Sequence, residues 1–180
     1  MRYESIADIF SANKKIREGL DIVLGGVSPD EARRVPDDGA WSIKQIVEHI
    51  AIVESSSARI CSKLLEKARE DNKPSDGAFS LSEKFMAQSD LASNTKVDAP
   101  ERVRPSGTAS MSESLQKLAE ARIAIEAMRP DMERLDLSAH TFPHPFFGDL
   151  TAAEWLVITG GHELRHTLQI QRVLEQVRGK

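Results

Sequence analysis

Ser or Thr followed three residues later by Glu or Gln recurs along this chain, at Ser28/Glu31, Ser42/Gln45, Ser80/Glu83, Ser110/Glu113 and Thr151/Glu154. In a capping box the hydroxyl and the carboxylate or amide each satisfy a backbone N–H that the first helical turn leaves without a partner. Pro29, directly after Ser28, takes the first helical position, where its missing N–H is no loss. Most of these starts open onto apolar residues at three- and four-residue steps, the period of one helix face. Aromatic residues make up only 5% of the chain and β-branched runs are few, so an all-β fold is excluded.

The apolar spacing predicts four long helices. The first, over 4–24, carries Ile6, Ile9, Phe10, Ile16, Leu20 and Val23 and is stopped by Gly25-Gly26. A short helical turn over 29–34 ends before Pro36. The second long helix, over 42–70, has the stripe Ile43, Ile46, Val47, Ile50, Val53, Ile60, Leu64 and Leu65. The third, over 111–135, shows Leu115, Leu118, Ala121, Ile125, Met128 and Met132, with Pro130 expected to kink or divide it. The fourth runs from the Thr151 cap to about Val177. Residues 71–109 are polar and interrupted by Pro74, Gly77, Pro100, Pro105 and Gly107, with one short helix expected over 81–88. Neither half of the chain holds a full core alone. The expectation is therefore one domain over residues 1–180, an all-α four-helix bundle with a long crossover between helices 2 and 3 and no strand.

The composition narrows the partners. Formal net charge is -4 with both signs mixed, which leaves no basic footprint for nucleic acid. No apolar run is long enough for a membrane span, and Met1-Arg2-Tyr3-Glu4 leads into no secretory h-region. Cys61 is the only cysteine, so no internal disulfide forms and a cytoplasmic setting is expected.

The histidines carry the chemistry. On the fourth helix His162 and His166 are four apart and lie about 20° to either side of the Trp155 direction, on the apolar face. His49 lies among Ile46, Val47 and Ile50 on the second helix and faces inward too. One buried imidazole is usually a hydrogen-bonded core residue. Three on two facing helices would each need a polar partner that apolar stripes do not supply, and a metal supplies one for all three. His162-Glu163-Leu164-Arg165-His166 also matches the zinc-protease pattern, but no further ligand follows and no upstream sheet edge exists to hold a peptide. Glu163 points partly away from such a metal. Its expected role is a surface or interhelix ion pair, with support of a ligand or a catalytic part as the other possibility. Arg165 is the second catalytic candidate, able to bind an acidic substrate group.

Gly160-Gly161 inside the fourth helix makes room either for a neighbouring helix or for a ligand. His140 and His144 are four apart too, but Pro143 and Pro145 exclude a helix there, so His144 is a loop residue that reaches the site only if the loop folds over it. Trp41 and Trp155 are expected to pack at bundle ends or to line the substrate mouth. Cys61 lies twelve residues beyond His49, about 18 Å along the helix, too far to share a metal.

Trp41-Ser42-Ile43-Lys44-Gln45-Ile46-Val47-Glu48-His49, together with His144-Pro145-Phe146-Phe147-Gly148, Leu150-Thr151, Glu154-Trp155 and His162 through His166, resembles the signatures of the DinB-like (DinB/YfiT-like) metalloenzymes. The resemblance spans nearly the whole chain in the right order. It implies a four-helix bundle with a divalent metal on His49, His162 and His166, and often a homodimer. Some relatives transfer low-molecular-weight thiols such as bacillithiol or mycothiol to electrophiles. Three imidazoles leave coordination positions open, as in catalytic rather than structural sites, and they suit zinc or nickel foremost, with iron also compatible. The expected function is thus a metal-dependent thiol transferase acting on a small-molecule substrate, with a low-molecular-weight thiol as cosubstrate. The alternatives are a non-catalytic dimeric bundle holding metal or a small ligand, and a metal-hydroxide hydrolase.

Overall fold

The computed structural model describes residues 3–93 and 99–179. The helices are α1 (Ile6–Gly25), α2 (Pro29–Arg33), α3 (Ile43–Asp71), α4 (Glu83–Ser93), α5 (Met111–Arg134) and α6 (Ala152–Arg178). Two strands, β1 (Phe142–His144) and β2 (Gly148–Leu150), and a 3-10 turn at Glu101–Val103 complete the description.

Four of the expected capping boxes form, at Ser28, Ser42, Ser110 and Thr151, each with both reciprocal bonds. The fifth does not. Ser82, not Ser80, accepts from the Phe85 amide at the start of α4, and the Ser82 hydroxyl donates to Glu154 at 2.6 Å. The partner that decides the cap is therefore on α6, which no local pattern reveals. Ser5 caps α1 by accepting from the Asp8 amide at 3.2 Å. The predicted break at Pro130 is absent: α5 runs through it. Proline frees only the Glu126 carbonyl, and both residues lie on the exposed face, where water replaces the lost bond. The expectation of no strand is also corrected. Pro143 and Pro145 preclude helix, and Gly148 takes the positive φ of 74° that closes a short antiparallel hairpin pairing Phe142 with Leu150.

The bundle helices are α1, α3, α5 and α6. α3 packs along α5 and α6, α1 packs along α6, and α1 meets α5 over a shorter stretch. One apolar cluster joins Ile9 and Phe10 to the C-terminal half of α3 (Cys61, Leu64, Leu65), the C-terminal half of α5 (Ile125, Met132) and the start of α6 (Trp155, Leu156). The other joins Leu20 to Ile43, Ile46 and Ile50, Leu118, and Ile170 and Val173. α3 and α5 therefore run in the same direction, and α1 and α6 run opposite to them. This is why the crossover is long: after α3 the chain must travel back along the bundle before α5 can start. Its first part is pinned to the end of α5, where the Ser75 amide donates to the Arg134 carbonyl and the Asp136 amide to the Lys73 carbonyl.

Between the two clusters lies a buried polar layer. Asn13 and Arg17 of α1, Glu54 and Ser57 of α3, Arg122 of α5, and Thr159 and Glu163 of α6 occupy it. Arg122 Nη2 donates to Glu163 Oε1 at 2.6 Å and its Nη1 to Asp21 at 3.1 Å. Gly160 belongs to this layer for a steric reason. A Cβ there would stand 1.9 Å from Asn13 Oδ1, so α1 could not approach α6 as it does. No helix among the described residues is long and apolar enough to cross a membrane.

Candidate metal centre

The Ser42 cap sets the start of α3 and the Thr151 cap that of α6, and helical periodicity then turns His49, His162 and His166 toward one another. One ring nitrogen from each lies within 4.8 Å of the other two. His49 Nε2 and His162 Nε2 are 3.0 Å apart. His49 and His166 are buried at 3% and 9% exposure, while His162 is crowded on nearly all sides yet keeps part of its surface accessible.

The outer ring nitrogens define what the inner ones can do. His49 Nδ1 donates to the Val103 carbonyl at 2.7 Å, and His166 Nδ1 donates to Gln169 Oε1 at 2.7 Å. A nitrogen that donates carries the proton, so in these neutral rings each Nε2 is left with a bare lone pair. His162 Nδ1 is buried and has no partner. Burial holds all three rings below the ordinary imidazole pKa: His166 is brought to about 4, chiefly by burial and then by His49, and His162 lies well below its usual value. They are neutral at pH 7, the form that binds metal. Nitrogens on a tetrahedral zinc stand about 3.3 Å apart, close to the separation of the two Nε2 atoms. Three converging neutral imidazoles, two of them oriented from outside, therefore fit a divalent ion.

The surroundings sort the other candidates. The Trp41 ring lies 5.0 Å from that of His49. His144, on β1, accepts from the Phe146 and Phe147 amides through Nδ1, and its ring is 5.2 Å from Trp155. Burial and then the Arg102 charge bring His144 to about 4, and His144 in turn acts on His162. His144 thus flanks the three-His group without joining it. Arg165 is exposed, and its charge reaches both His162 and His166. Glu163 is not at the surface: it is 1% exposed, pairs with Arg122, and has Arg17 Nε at 3.9 Å. Interhelix pairing is its role. Glu48, next to His49, accepts from the Ser106 and Gly107 amides and the Ser106 hydroxyl, which hold its carboxyl below the usual range despite burial. His140 pairs with Asp71 at 2.8 Å, away from the group. Cys61 is fully buried in the first apolar cluster, where burial pushes its thiol up to about 12.

The sequence reading missed Val103 and Gln169. Gln169, three residues after His166 on the same helix, was findable from spacing. Val103 acts through its backbone carbonyl and carries no side-chain signal.

Comparison with known proteins agrees with this architecture. YuaE, an uncharacterized protein of Bacillus subtilis (strain 168), is 24% identical over 155 residues, covering 86% of this chain and 90% of YuaE. The crystal structure of TT2238, a four-helix bundle protein, superposes with a TM-score of 0.62 at 24% identity, over 93% of this chain and 99% of TT2238. The DinB superfamily profile matches residues 12–170, so the chain belongs to the DinB superfamily.

Proposed function

We propose that this protein is a metal-dependent enzyme whose divalent ion is held by His49, His162 and His166, and that it transfers a low-molecular-weight thiol to a small electrophile. The observation that carries this reading is the convergence of three neutral imidazoles within 4.8 Å, two of them oriented from outside by Val103 and Gln169. Among the described residues no other His, Cys, Asp or Glu joins that group, so positions remain for exogenous ligands. A zinc or nickel ion there would supply a Lewis acid that favours the thiolate form of a thiol.

The chain's own residues favour thiol transfer over hydrolysis. Neither carboxylate adjacent in sequence to the His residues is free to act as a general base for a nucleophile at the ion. Glu48 holds the crossover at Ser106 and Gly107, and Glu163 is locked to Arg122. Without such a base the ion alone would have to drive loss of the proton to solvent, and a thiol, intrinsically far more acidic than water, meets that requirement more readily. The Trp41 ring packs against one side of His49. Arg165 would attract an anionic group of the thiol or substrate. The homodimer and a cytoplasmic setting remain part of this reading.

Elemental analysis of gently purified protein tests the site: about one metal per chain is expected, with loss in His49→Ala and His162→Ala. Equal metal in all three proteins overturns it. Thiol consumption with zinc- or nickel-loaded protein and a model electrophile tests the reaction. Stoichiometric metal without turnover would favour a non-catalytic metal- or ligand-binding bundle.

A further inference from the structure

The outer nitrogens of the three imidazoles are held in three different ways. Nδ1 of His49 meets the Val103 carbonyl at 2.7 Å, Nδ1 of His166 meets the Gln169 side chain at 2.7 Å, and Nδ1 of His162 is buried without a partner. A backbone carbonyl can only accept, so the His49 proton stays on Nδ1 whichever side chain Val103 carries. Among the described residues Gln169 is therefore the one outer partner whose chemistry a side chain sets. It is half-buried and lies three residues beyond His166 on α6, a spacing that brings two side chains together on a helix face. We propose that Gln169 is a positioning residue of the three-His site: its amide oxygen fixes His166 with the proton on Nδ1 and the lone pair on Nε2, and its lack of charge leaves the positive charge of a divalent ion undiminished there. This rests on the reading of that site as a metal centre and deepens it.

Geometry carries the first half. The separation of Gln169 Oε1 and His166 Nδ1 is that of a well-formed hydrogen bond. An amide turned the other way would donate to Nδ1 and send the ring proton to Nε2. That would place an N–H where the three rings converge, and a ring protonated there offers no lone pair to a metal. The chemistry of the outer partners carries the second half. The outer partner of a metal-ligating imidazole is often a carboxylate, which raises the basicity of the ring. A glutamate at position 169 would have the same length and the same reach. The two carboxylates next to the group in sequence are turned to other donors, Glu48 to Ser106 and Gly107, and Glu163 to Arg122. The outer contacts are thus a carbonyl, an amide and a nitrogen without a partner, and none of them is charged. An ion on three neutral rings with uncharged outer partners keeps its whole charge, which favours a thiolate over the protonated thiol.

The positioning half is read on metal-free protein by long-range proton–nitrogen correlation spectra of the His166 ring. Wild type should show a protonated Nδ1 and a bare Nε2. Gln169→Leu should lose that single tautomer with α6 intact by circular dichroism, and Gln169→Glu should keep it at alkaline pH. A proton on Nε2 in wild type, or an unchanged tautomer in Gln169→Leu, overturns the proposal. The charge half is read on cobalt-loaded protein titrated with 2-mercaptoethanol, a neutral thiol, through the thiolate-to-cobalt absorption band. The pH at which the band is half-developed should rise by about one unit in Gln169→Glu, a roughly tenfold change in the ease of losing the thiol proton. An equal or lower midpoint in that variant overturns the charge half. If cobalt is not retained, or is retained equally by His49→Ala, the metal-centre reading fails and the charge half falls with it, while the metal-free spectra still decide whether Gln169 positions His166.

Discussion

At the scale of single residues, the buried ionic layer makes the sharpest claims. Arg122 is bonded to Glu163, and its Nε is the closest cationic nitrogen to Glu54, at 4.0 Å. Glu54 is fully buried, no donor reaches its oxygens, and burial next to Glu163 raises its carboxyl well above the usual range. Removing Arg122 strands both acidic side chains, whereas an amide in place of Glu54 keeps its shape and takes one of two mutually unfavourable buried acids out of the layer. Arg122→Met is expected to destabilise the fold by about 3 kcal/mol, and Glu54→Gln to be neutral or stabilising at pH 7. Chemical denaturation of the two variants checks this, and a larger loss for Glu54→Gln would contradict it. The adjacent glycines of α6 make a similar pair. At Gly160 a methyl group collides with Asn13, so Gly160→Ala should cost about 1–3 kcal/mol. At Gly161 nothing lies within 4 Å, so Gly161→Ala should gain about 1 kcal/mol of helix propensity. Thermal melts of the two variants should move in opposite directions.

At the scale of elements, two glutamates connect the crossover to the bundle. Glu154 accepts from Thr151 at the start of α6 and also from the Ser82 amide and hydroxyl at the start of α4, so one carboxylate caps one helix and steadies the cap of another. Glu48 does the corresponding work on α3, where it holds Ser106 and Gly107 three residues beyond the Val103 carbonyl that orients His49. The orientation of an imidazole thus depends on a segment more than fifty residues away in sequence. Glu48→Ala should speed amide exchange at Ser106 and Gly107 and weaken metal binding by about tenfold, with α3 itself intact by circular dichroism. Unchanged exchange at those amides would sink the idea that Glu48 anchors the crossover.

At the scale of the whole molecule, the buried imidazoles make stability depend on pH. In the unfolded chain they take up protons near 6.5, but in the fold His144 and His166 resist protonation down to about 4. Between those values the unfolded state binds more protons. Stability is therefore fully present above about pH 6.5 and is lost progressively as pH falls toward 4. A divalent ion on the three His residues would add to the stability at neutral pH and leave on acidification, which steepens the fall. Melting temperatures measured from pH 7.5 to 4.5, with and without chelator, check both parts. A flat profile across pH 6.5–5 contradicts the first, and coincident profiles contradict the second.

The sequence by itself determined the four-helix bundle, its caps and the inward faces of His49, His162 and His166. Those are local properties: capping needs residues three apart, and periodicity fixes which face a side chain takes. It left the hairpin unseen because three-residue strands carry too little pattern, and it misplaced the α4 cap because the deciding acceptor, Glu154, lies on another helix. Glu163 shows the limit most plainly. Its angle away from the other His residues was legible, but whether it faced water or Arg122 was not. Only the tertiary structure decided that, along with the contact of Val103 with His49, because each depends on where residues distant in sequence come to rest when the two apolar clusters close.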